Sequence, residues 1–145
     1  MLLPEMLKIH KGGKMLAYKK EFLQNLYRTM VRIRLFEEKV GECFLGGELP
    51  GFVHLYIGEE AIATGLLTEL NQDDYITSTH RGHGHCIAKG AQIKPMMAEI
   101  FGKSTGYCKG KGGSMHIADF SVGMLGANGV VGGGITGGGV TGGGA

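Results

Sequence analysis

The sequence YITSTHRGHGHC, residues 75–86, indicates the fold class of this chain of 145 residues. Its first part, 75–79, is rich in β-branched side chains and follows turn-forming residues at 71–74, which predicts a strand. A dense polar cluster begins directly after that strand. Because ligands bind beyond the carboxyl ends of strands in open α/β sheets, this end of the strand is a candidate binding site.

The polar cluster at 80–86 contains three of the six histidines and allows three interpretations. As an anion site, Arg81 supplies a permanent charge, and His80 and His83 supply imidazole donors. Gly82 and Gly84 would then allow close backbone approach to a phosphate. A zinc site would use three imidazoles and one thiol, from His80, His83, His85 and either Cys86 or Cys108. The fixed charge of Arg81 argues against zinc, and the third interpretation is that the histidines are structural.

Helices are predicted on both sides of this strand. Over 19–45 apolar residues recur every three or four positions, which predicts one long amphipathic helix. Its apolar face comprises Leu23, Leu26, Tyr27, Met30, Ile33, Val40 and Phe44. A second helix is predicted at 59–70 and a third from Pro95 to a stop at Gly102. Residues 103–122 are glycine-rich and have no regular period, so we expect a long functional loop.

Bulk composition excludes several classes of protein. Fifteen Lys and Arg against thirteen Asp and Glu give a net charge of +2, too small and scattered for a nucleic-acid or polybasic membrane surface. The N-terminus lacks the continuous apolar core of a signal peptide, and no apolar run reaches a membrane span. Three cysteines, an odd count, fit reduced thiols. We therefore expect a cytoplasmic protein with no nucleic-acid or membrane partner.

Two further motifs are weak when taken alone. His54, in GFVH, is an isolated imidazole beside apolar neighbours, where a satisfied core histidine is the more common outcome. The loop KGKGGSMH at 109–116 is superficially similar to phosphate-binding loops. It lacks the Gly-Lys-Ser/Thr ending of nucleotide-hydrolysing proteins and follows no predicted strand.

Four motifs in order carry a resemblance to a known family. They are GFVHLYIGEEA (51–61), ITSTHRGHGH (76–85), GKGGSMHIAD (110–119) and GANGVVGGG (126–134). Together they resemble the alpha subunits of thiamine-diphosphate-dependent dehydrogenases that feed lipoyl multienzyme complexes. The THRGHGH form is most similar to acetoin dehydrogenases, since pyruvate dehydrogenases usually have Tyr-Arg at the position of His80-Arg81.

The resemblance implies roles for individual residues. His54 and His83 would lie at the active site as catalytic residues, and His80 and Arg81 would hold the cofactor diphosphate. The segment Gly129-Val-Val131 would meet the aminopyrimidine ring through main-chain groups. Two further residues match family motif positions near the site, Ser114 and His116.

The resemblance also implies a fold, cofactors and partners. The fold would be α/β, the N-terminal portion of a doubly wound parallel-sheet domain at 19–134, between a polar leader at 1–18 and a Gly/Thr-rich tail at 135–145. The cofactors would be thiamine diphosphate and Mg²⁺, whose Gly-Asp-Gly ligand motif belongs downstream of this chain. Partners would be a beta subunit, which supplies the glutamate that activates the cofactor, and a lipoyl-bearing dihydrolipoamide acyltransferase component.

Functional hypotheses from different classes follow. The first is an alpha subunit that cleaves acetoin and passes the two-carbon unit to the lipoyl component, with pyruvate or branched-chain 2-oxo acids as alternative small-molecule substrates. The second is a zinc-binding module that uses the cluster from His80 to His85. The third is a non-catalytic fragment that binds a beta subunit through its long helix.

Overall fold

The structure is a computed structural model that describes residues 6–11 and 14–130. Along these residues lie β1 (Met6–Lys11), β2 (Lys14–Lys19), α1 (Lys20–Leu45), α2 (Glu60–Leu67), β3 (Ile76–Ser78), α3 (His83–Lys89), α4 (Ile93–Ile100), a 3-10 helix (Phe120–Val122) and β4 (Met124–Ala127). Within this described part, no helix is long and apolar enough to cross a membrane. The tail predicted at 135–145 lies outside the described residues.

Strands β3 and β4 pair in parallel. Ile76 lies opposite Met124, and Ser78 lies opposite Ala127. Because parallel strands end on the same side of a sheet, the residues after Ser78 and after Ala127 meet at one edge. Helices α3 and α4 lie in the connection between the two strands, as a parallel crossover requires. These helices and the small parallel sheet confirm the predicted α/β class.

Helix α1 buries one stripe of its surface and leaves its N-terminal half largely exposed. The buried residues recur every three or four positions: Ile33, Phe36, Glu37, Val40 and Cys43. The predicted face is confirmed at Ile33 and Val40. It is wrong at Tyr27, which is 66% exposed because it lies about 120° around the helix from Ile33. It is also wrong at Phe44, which is 40% exposed and lies beyond the last buried residue.

Several element boundaries differ from the predicted ones. Helix α2 ends at Leu67, and α4 begins at Ile93, so that Pro95 occupies its third position rather than its first. Proline is tolerated there because N–H groups of the first turn have no intrahelical acceptor. Helix α3 is not predicted by the sequence pattern, since its glycine and histidines mask any helical period. The segment predicted as a polar leader, 1–18, contains β1 and all of β2 except Lys19, and the two strands pair antiparallel.

The glycine-rich loop that follows α4 folds around a buried carboxylate. Glu99 is fully buried and accepts hydrogen bonds from four backbone N–H groups of this loop, at 2.8–3.1 Å: those of Cys108, Gly110, Gly112 and Gly113. Burial raises the pKa of Glu99, but these donors outweigh it and hold the pKa below its usual value. Backbone N–H groups bind a phosphate in a phosphate-binding loop. In this loop they bind the carboxylate of Glu99, an anion of the same chain.

We expect Glu99→Gln to destabilise the fold. The amide keeps the shape but replaces one acceptor oxygen with a donor, which leaves two backbone N–H groups unsatisfied at a cost of about 1–3 kcal/mol each. Urea denaturation should show the loss, and hydrogen exchange should localise it to the pair that shares the replaced oxygen, either Cys108 and Gly110 or Gly112 and Gly113. Lys111→Gln, an exposed position in the same loop, is the control. Equal stability of Glu99→Gln and wild type would contradict the anchoring role.

An ion pair joins α1 to the start of α2. Arg34 Nε lies 2.6 Å from Glu60 Oε1, and the N–H of Gly58 donates to both carboxylate oxygens at 3.0 and 3.1 Å. The hydrogen bond from Arg34 lowers the pKa of Glu60 to about 2; burial opposes it, and the Gly58 N–H adds to it. Glu60 therefore stays ionised in moderately acidic solution.

We expect Glu60→Gln to make stability less sensitive to acid. The carboxyl pKa falls from 4.5 to about 2 on folding, so the stabilisation is complete above pH 4.5 and is lost as the pH falls toward 2. At neutral pH the variant should be less stable than wild type by about 1 kcal/mol, the scale of a partly exposed ion pair. Urea denaturation across this pH range, with the exposed Glu69→Gln as control, measures the difference. If the difference in stability between Glu60→Gln and wild type did not change with pH, the charge of Glu60 would not be its cause.

Candidate active site

The candidate site lies where the carboxyl ends of β3 and β4 meet. His80 and Arg81 follow β3, and Asn128 and Gly129 follow β4. The backbone N–H of Asn128 donates to the carbonyl of Ser78 at 3.2 Å, which holds the two ends together. Polar side chains and the backbone segment after β4 therefore share one sheet edge, the usual ligand position in open α/β folds.

His54 and His80 face each other at this edge. Their rings pack edge to face with centroids 5.2 Å apart, although the residues are far apart in the sequence. His54 Nδ1 lies 3.1 Å from the carbonyl of Val53, so in the neutral ring Nδ1 carries the proton and Nε2 carries the lone pair. His80 Nδ1 is buried and has no hydrogen-bond partner among the described residues. His80 Nδ1 thus needs a hydrogen-bond partner that the described residues do not supply.

Arg81 brings a positive charge to the same edge. Its Nη1 donates to the carbonyl of Leu55, and its Nε lies 3.9 Å from a carboxylate oxygen of Glu59. The side chain is 41% exposed. The contact with Leu55 uses one of the five N–H groups of the guanidinium. Arg81 is therefore tied to the segment that carries His54 while its charge stays near the surface.

His83 lies in a buried hydrogen-bond chain. The ring is fully buried; Nδ1 lies 2.9 Å from Glu37 Oε1, and Nε2 lies 3.0 Å from Ser114 Oγ. The other oxygen of Glu37 accepts from the N–H of Tyr56 at 3.0 Å. Ser114 Oγ in turn accepts from the N–H of His54 at 3.4 Å. Both ring nitrogens of His83 are therefore engaged with protein groups.

Both ring nitrogens of His85 also have partners within the protein, as those of His83 do. Its Nδ1 lies 2.8 Å from Ser78 Oγ, and its Nε2 lies 3.3 Å from the Tyr56 hydroxyl. Burial lowers the pKa of His85, although Glu59 opposes this effect. Burial also raises the pKa of Tyr56 to about 12, with the charge of Glu59 adding to it. His85 thus ties β3 to the segment that contains His54.

The two glycines of the cluster serve packing rather than ligand approach. A Cβ at Gly84 would lie 2.3 Å from the Tyr56 ring, and one at Gly82 would lie 2.9 Å from Ala127 Cβ. The interpretation that these glycines admit a phosphate is wrong, because protein atoms occupy the space beside both. They allow α3 to lie directly against Tyr56 and β4.

The zinc interpretation of the cluster is also wrong. Among the residues that the structure describes, no three His, Cys, Asp or Glu side chains form a group that could hold a metal ion. His83 and His85 are hydrogen-bonded to protein partners. Cys86 is fully buried, and burial raises the pKa of its thiol, which disfavours the thiolate that a metal needs.

The remaining candidate residues lie around the same edge. Ser114 is buried beneath His54, and His116 is exposed with Nδ1 3.1 Å from the carbonyl of Ala127. Gly129 is exposed, and a Cβ there would meet no atom of the described residues within 4 Å. Val131 lies outside the described residues.

Glu37 is the site-supporting residue that sequence reasoning missed. None of the sequence motifs includes it, yet both of its oxygens bind residues of the candidate site. A signal was present: Glu37 lies four residues after Ile33 and three before Val40, on the apolar stripe of α1. A carboxylate on a buried stripe needs donors, so its position predicts a hydrogen-bond partner.

Comparisons with known proteins identify the family of this chain. The profile of the family described as "Dehydrogenase E1 component" matches residues 28–143. The alpha subunit of an acetoin:2,6-dichlorophenolindophenol oxidoreductase from Bacillus subtilis is 68% identical over 74% of this chain and 32% of its own length. The protein of the same name from Cupriavidus necator is 61% identical over 78% of this chain and 34% of its own length.

A more distant relative carries a different name. The alpha-3 subunit of a chloroplastic pyruvate dehydrogenase E1 component from Oryza sativa is 44% identical over 80% of this chain and 27% of its own length. The chain thus spans about a third of the length of the two curated relatives named for acetoin. Since the family profile covers most of these 145 residues, the chain belongs to the dehydrogenase E1 component family.

Proposed function

We propose that this chain forms part of the alpha subunit of a thiamine-diphosphate-dependent acetoin dehydrogenase. The enzyme would cleave acetoin and pass the two-carbon unit to a lipoyl-bearing dihydrolipoamide acyltransferase. The choice of acetoin is supported by identities of 68% and 61% to proteins named for acetoin, against 44% to one named for pyruvate. Pyruvate and branched-chain 2-oxo acids are the alternative substrates.

The observation that carries this proposal is the meeting of His54, His80 and Arg81 at one sheet edge. The buried Nδ1 of His80, which has no partner among the described residues, and the guanidinium of Arg81 fit an anionic group such as a diphosphate. We propose that these two residues hold the diphosphate. Gly129, which is exposed and has no described residue within 4 Å of a Cβ position, fits main-chain contact with the aminopyrimidine ring, and we propose the same for Val131.

The chain's own residues then have defined tasks. When bound, thiamine diphosphate supplies an electron-withdrawing ring that stabilises negative charge on the substrate carbon where the bond breaks. His54, with its lone pair on Nε2, would accept the proton that leaves the hydroxyl of acetoin during cleavage. His83, fully buried, would act by holding this segment rather than by touching substrate. Arg81 would fix the cofactor and, through Leu55, the segment of His54.

The larger assembly is also a proposal. The parallel pair β3 and β4 supports a doubly wound sheet that continues outside the described residues, within a domain that begins at residue 19. A beta subunit would supply the activating glutamate, and Mg²⁺ would be bound by residues outside this chain. All three cysteines are free thiols, which supports a reducing compartment such as the cytoplasm.

We expect Arg81→Ala to weaken binding of thiamine diphosphate. Loss of a charged donor to the diphosphate should cost about 1.5–3 kcal/mol, or roughly 10–150-fold in Kd. The measurement is calorimetric titration of thiamine diphosphate with Mg²⁺ into the complete alpha subunit bound to its beta subunit. Arg28→Ala, on the exposed part of α1, is the matched control. Unchanged binding by Arg81→Ala would remove Arg81 from the cofactor site.

We expect His54→Gln to lower kcat while cofactor binding persists. The amide cannot accept a proton as imidazole does, and loss of a general base typically costs about 100- to 10,000-fold. Steady-state cleavage of acetoin by the assembled complex measures kcat, and calorimetry on the same preparation measures Kd for thiamine diphosphate. A His54→Gln enzyme with the wild-type kcat would show that His54 is not the base.

A further inference from the structure

Glu37 is a fully buried acid that the proposed chemistry leaves unused. Burying a carboxylate is costly unless donors surround it. Its Oε1 lies 2.9 Å from His83 Nδ1, and its Oε2 accepts from the N–H of Tyr56 at 3.0 Å. Both donors lie on segments that border the candidate site, whereas Glu37 itself lies on α1. The carboxylate therefore connects the long helix to two parts of the site.

The connection continues to the backbone of His54. An ionised carboxylate only accepts hydrogen bonds, so in the neutral ring of His83 the Nδ1–H donates to Glu37 and Nε2 accepts from the Ser114 hydroxyl. Ser114 Oγ accepts from the N–H of His54. One carboxylate thus holds the segment 54–56 at both ends, directly at Tyr56 and through two side chains at His54.

We propose that Glu37 is a positioning residue that fixes the Nδ1–H tautomer of His83 and thereby, through Ser114, the place of His54 at the active site. The inference rests on the proposed function, in which His54 exchanges a proton at Nε2. Arg81 strengthens the effect because it donates to the carbonyl of Leu55, the residue between the two held ends.

The order Ser114, His83, Glu37 also matches the serine, histidine and acid of hydrolytic triads. A nucleophilic serine must be reached by substrate, whereas Ser114 is 5% exposed and accepts a hydrogen bond from the backbone of His54. The geometry therefore favours positioning over nucleophilic attack.

The test is Glu37→Gln in the complete alpha subunit assembled with its beta subunit. The amide has the size of the carboxylate, and its oxygen still accepts from Tyr56. Its NH₂ group faces His83 Nδ1, which must now accept, so the ring proton moves to Nε2 and the Ser114 hydroxyl loses its acceptor. The shape of the core is kept while the tautomer reverses.

Two measurements read out this change. Magic-angle-spinning ¹⁵N NMR of histidine-labelled complex should show the protonated nitrogen of His83 move from Nδ1 to Nε2. In steady-state assays kcat should fall by about 10–100-fold with a smaller change in KM, because displacement of a reacting group by about 1 Å costs on the order of 100-fold. Glu38→Gln is the matched control, since Glu38 is the next residue on α1 and its side chain is 50% exposed.

The outcomes separate this proposal from the proposed function. An unchanged His83 tautomer in Glu37→Gln, or a kcat equal to that of Glu38→Gln, would overturn the positioning role. A tautomer change in a complex that neither binds thiamine diphosphate nor cleaves acetoin would support the hydrogen-bond chain and refute the function. If Glu37→Gln does not fold, Ser114→Ala cuts the same chain without touching the acid. It should lower kcat and leave the His83 tautomer unchanged, and a wild-type kcat would overturn the proposal.

Discussion

The carboxylate of Glu37, buried on the inner face of α1, is the interaction on which the site geometry depends. A buried charge must be met by donors, and here the donors are His83 and the backbone of Tyr56. Glu99, near the end of α4, is a second buried carboxylate, and it accepts hydrogen bonds from four loop N–H groups. In both cases the carboxylate lies on a helix, and hydrogen bonds to it hold the conformation of a segment outside regular secondary structure.

This constraint divides the histidine cluster into two kinds of residue. His83 and His85 lie on α3, and both ring nitrogens of each bind protein groups, so they connect strand, helix and loop. His80 lies before α3 and keeps a buried nitrogen without a partner among the described residues. A helix that begins at His83 therefore separates supporting imidazoles from the one that faces His54.

Local pattern predicts some of this arrangement and leaves the rest undetermined. The period of α1 and the β-branched run before His80 are local signals, and both elements form. The role of Gly84 is not local, because the ring that requires it belongs to Tyr56, 28 residues earlier, and no turn or period encodes that contact. The partners of Glu37 are equally remote in sequence. The position of Glu37 on an apolar stripe predicts that its carboxylate needs hydrogen-bond donors. Which residues donate depends on the tertiary fold.

The parallel pair β3 and β4 supports a larger sheet around this site. Two strands of three and four residues bury little surface, and parallel sheets in proteins are covered on both faces. Apolar side chains also remain exposed on α2, where Ile62 is 62% and Leu66 is 54% accessible. Such faces are costly in water unless other elements cover them. His54, His80 and Arg81 lie at the edge of this small sheet. In the proposed assembly, a continued sheet and a beta subunit would cover this edge, and exclusion of water there would strengthen the electrostatic contacts proposed for Arg81.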